Sequence, residues 1–352
     1  ICIHSLKIGG MERVASLLSN NFINKKKVTL HIVLFGINPI ISFELDKRIV
    51  VHTPEFNFNN KFRLFYTLKT ICFLRKKIKE LKPDSILSLG EKWNNLVLLS
   101  LLGLNFPIFI SDRSEPNKDL GKFHNILRNL LYPFSSGIIA QTSIAAKIAL
   151  QKKWNNNISI IGNPFKKESF NKKIKKENII LSVGRLIETK HFDELINIFK
   201  NINNKKWKLI IVGGNTNKSD LLNKYRNLVK KLGLTNQIFF EGERNDVRAY
   251  YLKSKIFAFT SSSEGFPNAI GEAMSFGIPV IAYDCVAGPS DLIYNGITGY
   301  LIKNRNQKKY EMQLKNLMQD DNTLKTFSKM SLEKINDFNI KNISEKYYEF
   351  II

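Results

Sequence analysis

The sequence predicts an α/β protein built from two doubly wound, Rossmann-like domains, each around a parallel sheet. Short β-branched runs alternate with helix-length segments along most of the chain, which is the rhythm of a parallel sheet wrapped by helices. That rhythm breaks once, at a charged stretch over 166–176, and then restarts. A chain of 352 residues is long enough for two such cores.

The first strand is expected to end near Ser5. It leads through Lys7, Ile8, Gly9, Gly10, Met11, Glu12 and Arg13 into a helix running to about Asn24. Further strands are expected over 28–35, 85–89, 108–111, 137–141 and 158–161, and after the break over 179–183, 208–212, 237–241, 256–260 and 279–283. Segment 61–82 reads as a helix, with Leu64, Leu68, Ile71, Leu74, Ile78 and Leu81 as the stripe that packs on the sheet. The join falls at Gly162, Asn163 and Pro164, giving domains over 1–162 and 163–335 and a closing helix over 336–352. Ligands of doubly wound sheets bind beyond the C-terminal strand ends, so two facing sheets would create a cleft.

The formal net charge of +24 is spread over both halves, with 23 Lys and Arg against 10 Asp and Glu in 1–165 and 31 against 20 in 166–352. It favours an anionic partner, whether nucleic acid, anionic lipid or phosphorylated substrate. The abundance of Lys, Asn and Ile is also what an AT-rich genome produces through codon bias, so only clustered charge is informative. Cys2, Cys72 and Cys285 stand far apart without metal-ligand spacing, which points to a reducing compartment and no zinc site. The longest apolar stretch, 96–110, is interrupted by Gly103, Asn105 and Pro107 and is too short to span a bilayer. The chain opens on Ile1 rather than Met, so N-terminal residues are expected to be missing, and nothing resembles a signal peptide.

Residues 264–272, Glu-Gly-Phe-Pro-Asn-Ala-Ile-Gly-Glu, are the most informative for function. Helical spacing begins after Pro267, so Glu264 lies in the entering loop and Glu272 inside the helix. A helix N-terminus attracts phosphate, and Gly265 permits close approach to the backbone. Two carboxylates flanking it suit a nucleotide sugar, although a dipole partner plus a surface acid is the plainer reading. That reading leaves Gly265, Pro267 and Gly271 unexplained. Gly184 and Arg185 end a strand and lead to Lys190, placing two cations where a diphosphate is expected, or simply a solvated pair at a strand end. The Gly9-Gly10 turn is a weak signal, as readily structural as ligand-binding.

Gly9-Gly10-Met11-Glu12-Arg13, Gly184-Arg185 with Lys190, the 264–272 segment and Asn295-Gly296-Ile297-Thr298-Gly299-Tyr300-Leu301 occur in an order that resembles glycosyltransferase family 4, the retaining enzymes of GT-B architecture. The resemblance covers nearly the whole chain and is strongest over 179–302. It implies that Arg185, Lys190 and Glu264 carry catalysis. The donor would be held by Gly9, Gly10, Arg185, Lys190, Arg244, Asn245, Glu264, Gly265, Phe266, Asn268, Ala269, Ile270 and Glu272. Glu264 would receive sugar hydroxyls, Glu272 the ribose diol, the Ala269 and Ile270 N–H groups the diphosphate, and the loop 243–247 the base. The resemblance further implies that no metal or other cofactor is needed and that the closing helix crosses back to the first domain. No DxD motif is present, and Asp320-Asp321 stands apart from the motif loops. Many family members carry a histidine after the strand equivalent to 108–111, where this chain has Asp112 and Arg113. His4, His31, His52, His124 and His191 lack motif support and are expected to be structural or exposed.

On the helix over 61–82, Phe62, Phe65, Tyr66 and Phe73 stand among Lys69, Lys76 and Lys77 on the face away from the sheet. That face suits an anionic lipid interface, or the diphosphate of a polyprenyl-linked acceptor through Lys69, Phe73, Lys76 and Lys77; alternatively the aromatics pack beneath a loop. The expected activity is retaining transfer of a hexose or N-acetylhexosamine from a nucleotide sugar, with UDP favoured, to a glycan. Several relatives act on lipid-linked acceptors, and surface polysaccharide or glycoconjugate assembly is the expected setting. The protein is expected in the cytoplasm, peripheral on the inner face of the cytoplasmic membrane. A nucleotide-sugar 2-epimerase shares the fold and remains the enzymatic alternative. A nucleic-acid binder fits the charge but not the motif loops.

Overall fold

The structure is a computed structural model that describes residues 1–7, 9–36, 41–166, 175–216, 220–244 and 246–352. The chain divides into two compact units, Ile1–Pro164 with Phe338–Ile352, and Phe165–Asp337.

In chain order the first unit contains β1 (Cys2–Ile3), α1 (Gly10–Phe22), β2 (His31–Leu34), β3 (Val50–His52), α2 (Arg63–Leu81), β4 (Ile86–Leu89), α3 (Glu91–Leu101), β5 (Ile108–Ser111), α4 (Lys122–Leu131), β6 (Gly137–Ala140), α5 (Ser143–Gln151) and β7 (Ile158–Ile160). Its strands form a parallel sheet in the order β3-β2-β1-β4-β5-β6-β7. Side chains alternate across each strand, so the sheet supports a core on both faces. Ile3, Ile32, Leu34 and Leu87 meet Val14, Leu18 and Phe22 of α1 on one face. On the other, Cys2, Val33, Ile86 and Ile110 meet Leu74 and Ile78 of α2 and Val97 and Leu98 of α3.

The second unit contains β8 (Glu177–Val183), α6 (Phe192–Ile202), β9 (Lys208–Val212), α7 (Leu221–Lys231), β10 (Ile238–Phe240), α8 (Arg248–Lys253), β11 (Ser254–Phe259), α9 (Asn268–Ser275), β12 (Val280–Asp284), α10 (Pro289–Leu292), β13 (Gly299–Lys303), α11 (Gln307–Gln319) and α12 (Asp321–Ile335). Its parallel sheet runs β10-β9-β8-β11-β12-β13. The last helix, α13 (Ile340–Ile351), packs in the first unit, where Ile343, Tyr347 and Ile351 join the α1 side of the core and Lys25 pairs with Glu345 at 2.5 Å.

Two strands escape the sequence pattern. β3 lies at a sheet edge with Val50 exposed, so it shows no alternation. β13 grows out of the 295–301 motif, and Gly299 is required because a Cβ there would lie 2.2 Å from the Val280 carbonyl oxygen. The expected packing stripe of α2 needs correction. Leu74 and Ile78 are buried and Leu81 lies partly against the core, but Leu64 and Leu68 are 77% and 54% exposed. Phe73, expected on the outer face, packs partly against the core instead. The N-terminal half of α2 thus overhangs the core, and only residues from Thr70 onward reach it.

Candidate active site

The order of the second sheet reverses between β8 and β11, the neighbouring strands of a topological switch point. Loops leaving the C-terminal ends of two such strands diverge to opposite faces and leave a crevice for a ligand. Gly184 and Arg185 leave β8. Gly213, leaving β9 with φ +151°, approaches so closely that a Cβ would lie 1.8 Å from the Gly184 carbonyl oxygen. Only glycine fits there.

The loops after β8 and β11 are laced together. Thr260 Oγ1 donates to the Lys190 carbonyl (2.8 Å), the Ser262 N–H to the Thr189 carbonyl (2.9 Å), and Ser262 Oγ meets His191 Nε2 at 2.8 Å. Burial holds the His191 pKa below its ordinary value, so the imidazole is neutral at pH 7. This scaffold delivers Lys190 Nζ to within 2.5 Å of Glu264 Oε1. The pair's side chains are 16% and 15% exposed, so water screens it little. Gly184 leaves room for the lysine stem, because a Cβ there would stand 3.2 Å from Lys190 Cε. The Cys285 thiol beside the pair is pushed up to about 12, chiefly by burial and then by the Glu264 charge.

Beyond Glu264 the chain turns at Pro267 into α9. Gly288 abuts that proline, where a Cβ would meet Pro267 Cδ at 2.2 Å. Glu272 projects from α9 and accepts a hydrogen bond from the Tyr251 hydroxyl at 3.0 Å. Tyr251 is buried and stacks on Phe276 at 5.2 Å, so it fixes the carboxylate rigidly. Sequence reading missed Tyr251 and the Gly213-Gly214 turn, whereas His191, expected to be structural or exposed, braces the two loops. Glycines after a strand were the one local signal, and the tyrosine had none.

Two expectations about α9 change. The Ile270 N–H, assigned to a diphosphate, donates to the Pro267 carbonyl at 3.0 Å because the first turn is tight, whereas the Ala269 N–H meets no acceptor among the described residues. Gly271 serves packing: a Cβ there would lie 2.1 Å from the Phe165 ring, which itself lies near the Phe266 ring. Phe266 is buried, so any ligand contact from it is through the backbone. Gly265 and Asn268 are half-exposed beside it.

Arg185 is exposed, with no carboxylate in ion-pair range among the described residues. It stands at a cavity of about 180 Å³ bounded by Gly184, Gly213, Gly214, Glu243, Arg244 and Val247. Arg244 pairs with Glu241 at 3.2 Å, and Asn245 lies outside the described residues. No three or more His, Cys, Asp or Glu side chains are arranged to hold a metal ion among the described residues. Asp320 instead caps α12.

The remaining expected residues lie in the first unit. The Glu12 carboxylate folds over Gly9, where a Cβ would lie 2.2 Å from it, so the head of α1 meets its own acid. Gly9 has φ −177°, an extended conformation any residue adopts. Asp112, at the place of the missing histidine, is engaged: it pairs with Arg128 and accepts from the Tyr132 hydroxyl at 2.5 Å. Arg113 is likewise engaged, donating to Asn163 Oδ1 (2.8 Å) and the Tyr347 hydroxyl (3.0 Å). On α2, Lys77 and Lys76 approach Glu80 at 2.7 and 3.9 Å, and Lys69 lies 4.7 Å from the Phe65 ring centre. That acid partly neutralises the basic face. No helix is long and apolar enough to cross a membrane among the described residues.

Residues 164–333 match the family described as "Glycosyl transferases group 1". Over 97% of this chain and 96% of the relative, the sequence is 28% identical to the amylovoran biosynthesis glycosyltransferase AmsD of Erwinia amylovora. It is 26% identical, over 99% and 96% respectively, to the GalNAc-alpha-(1->4)-GalNAc-alpha-(1->3)-diNAcBac-PP-undecaprenol alpha-1,4-N-acetyl-D-galactosaminyltransferase of Campylobacter jejuni. In fold it is similar to Anabaena Alr3699/HepE in complex with UDP and glucose, with a TM-score of 0.77 and 18% identity over 99% of this chain and 97% of that one. Strand ends, laced loops and a cation–carboxylate pair at the switch point are thus set in a segment that matches the group 1 glycosyl transferases, in a chain similar over nearly its whole length to bacterial glycosyltransferases and built as the two parallel α/β units of the GT-B fold.

Proposed function

We propose that this chain transfers a hexose or N-acetylhexosamine from a UDP-sugar to a polyprenyl-diphosphate-linked glycan, with retention of anomeric configuration, during surface polysaccharide or glycoconjugate assembly. The observation that carries this reading is the Lys190–Glu264 pair across the switch point, with Arg185 in the same loop after β8 as Lys190 and no carboxylate in ion-pair range of that arginine among the described residues. A sugar diphosphate offers each of these groups a partner. The β-phosphate satisfies Lys190 and Arg185, and the sugar hydroxyls donate to Glu264. The ribose diol matches the carboxylate of Glu272, which Tyr251 holds in place.

In the transfer step the bond from the anomeric carbon to the β-phosphate oxygen breaks, and the acceptor oxygen bonds to that carbon on the same face. The acceptor proton passes to the departing phosphate oxygen. Arg185 and Lys190 neutralise the charge that grows on the diphosphate, so their work is electrostatic and requires no protein base. Since those two cations supply the neutralisation, transfer is expected to persist in EDTA.

The acceptor class rests on the Campylobacter relative, whose name specifies an undecaprenol-linked glycan. A lipid-linked acceptor places the enzyme on a membrane surface, which the exposed Phe62, Leu64, Phe65 and Leu68 of the α2 region, set among lysines, would suit. The deciding experiment incubates the protein with a panel of UDP-sugars and synthetic polyprenyl diphosphate glycans and reads the product anomer by NMR. An α-linked product from an α-donor supports the reading. Interconversion of free UDP-sugars without acceptor would instead identify an epimerase.

A further inference from the structure

At the edge of the first sheet, β2 and β3 each carry a histidine that the donor site does not use. Parallel pairing sets His31 opposite Val50 and Val33 opposite His52, so both imidazoles rise from the same face of neighbouring strands. On that face Val33 meets Leu74 and Ile78 of α2. His31 Nδ1 and His52 Nε2 stand 3.0 Å apart, and their ring centres are separated by 5.2 Å. Both rings are half-buried.

In the neutral pair one of the two facing nitrogens carries a proton and the other accepts it. Burial holds both pKa values below the ordinary histidine value, so at pH 7 both rings are neutral, which is the form that ligates metals. The spacing also fits a chelate. Two imidazoles on one ion, at about 2.0–2.1 Å per bond and the tetrahedral angle, have nitrogens about 3.3 Å apart and ring centres about 5.2 Å apart. The ring centres here already have that separation, so each ring only has to turn for the two lone pairs to meet at one point. The shared proton then moves to the far nitrogen of its own ring, and none is released overall.

The Glu80 carboxylate of α2 is near enough for its charge to act on His52, and Lys77, 2.7 Å from that acid, partly offsets it. No third His, Cys, Asp or Glu joins the pair as a ligand among the described residues, which leaves the remaining coordination positions to water. Imidazole nitrogen suits zinc, nickel and copper, whereas magnesium and calcium require oxygen. β3 is a strand of three residues at the sheet edge, with Val50 exposed. An ion held by one residue from each strand binds only when β3 is seated on β2, so it stabilises that pairing.

We propose that His31 and His52 form a two-imidazole site for a transition-metal dication, zinc foremost, that fastens the edge strand β3 to β2. The site is structural and takes no part in sugar transfer. It therefore does not depend on the transfer reading, and turnover in EDTA stands as expected above.

The test is calorimetric titration of the full chain, free of any affinity tag and stripped with EDTA, with zinc chloride alone. One ion binds per chain, and the thermal midpoint rises by about 3–6 °C at zinc tenfold above its Kd. Magnesium leaves the midpoint unchanged. His31→Asn and His52→Asn each lower zinc affinity by at least about tenfold, since even the partner of a metal ligand is worth that much. Both variants keep a hydrogen-bonding side chain and the wild-type far-ultraviolet circular dichroism, which separates loss of the site from loss of the fold. In the copper-loaded chain, electron paramagnetic resonance shows coupling to two imidazole nitrogens, and to fewer in His52→Asn. Zinc affinity undiminished in His52→Asn overturns the proposal. So does the absence of binding at millimolar zinc, since the pair would then be a hydrogen bond alone.

Discussion

Lys190→Ala tests the reaction chemistry and the architecture together. At 2.5 Å and an effective dielectric constant of about 20, the gross attraction between Lys190 and Glu264 is about 7 kcal/mol, most of it offset by the desolvation of both groups. Removing one partner of a fully buried pair costs about 3–5 kcal/mol. Because Glu264 stays 15% exposed on a loop, the expected cost here is about 1–2 kcal/mol, a fall in thermal midpoint of about 2–8 °C. Loss of a leaving-group cation lowers kcat by about 100- to 1000-fold, or about 2.7–4 kcal/mol in the barrier. The two effects separate in a double mutant. Lys190→Ala/Glu264→Gln no longer strands a charge, so it regains most of the thermal midpoint without regaining turnover. Differential scanning calorimetry and donor turnover at saturating UDP-sugar give the two readouts. Turnover of Lys190→Ala within threefold of wild type would refute the leaving-group role. Recovery of turnover in the double mutant would show the pair to be a structural clasp.

Tyr251→Phe removes the 3.0 Å hydrogen bond to Glu272 and should weaken UDP binding about 2- to 10-fold by titration calorimetry, with kcat nearly unchanged. Glu272→Ala should likewise act mainly on nucleotide affinity, whereas Glu264→Ala should act mainly on turnover; steady-state kinetics separates the two. Gly271→Ala drives a Cβ to 2.1 Å from the Phe165 ring and should cost about 1–3 kcal/mol in denaturant unfolding, although helix propensity alone favours alanine. Phe165→Leu in the same chain should recover part of that loss. A thiol reagent at pH 8 should count only Cys72 in the native protein and all three cysteines in denaturant. Burial raises the Cys285 pKa to about 12, so the reactive thiolate is scarce until the protein unfolds.

The parts of the site legible in the sequence were those written by backbone demand. Gly184 and Arg185 announce a strand end, and Pro267 announces the start of α9, because few residues satisfy those local geometries. What local pattern could not express is adjacency. Lys190 and Glu264 are 74 positions apart and meet because β8 and β11 are neighbours in a sheet whose order is not the chain order. The Tyr251 hydroxyl reaches Glu272 because α8 and α9 stand at either end of β11 in the chain and fold back to meet, so nothing in its own surroundings marked it. Gly271 shows the opposite failure: a glycine beside a phosphate-ready helix invites a ligand explanation, and the Phe165 ring fills that space instead.

Exposure is the harder property to read, and α2 and α4 are hard to read for one physical reason. A helical wheel ranks faces by apolarity, so it identifies a core face only where the other side is polar. On α2 the stripe through Leu74 and Ile78 was read correctly, but periodicity carries no record of where the sheet ends, and Leu64 and Leu68 overhang it. On α4 both sides are apolar, and what sets the inside is the buried Arg128 beside Asp112, a charge that pattern reading places in solvent. Burying that guanidinium is affordable only because the Asp112 carboxylate and the Trp154 ring, 3.8 Å away, receive it. The arginine therefore turns Phe123, Ile126 and Leu130 outward. A conservative Arg128→Lys change, which keeps the charge but loses the planar stacking, should loosen α4 and lower the thermal midpoint in calorimetry while leaving the UDP thermal shift of the second unit in place.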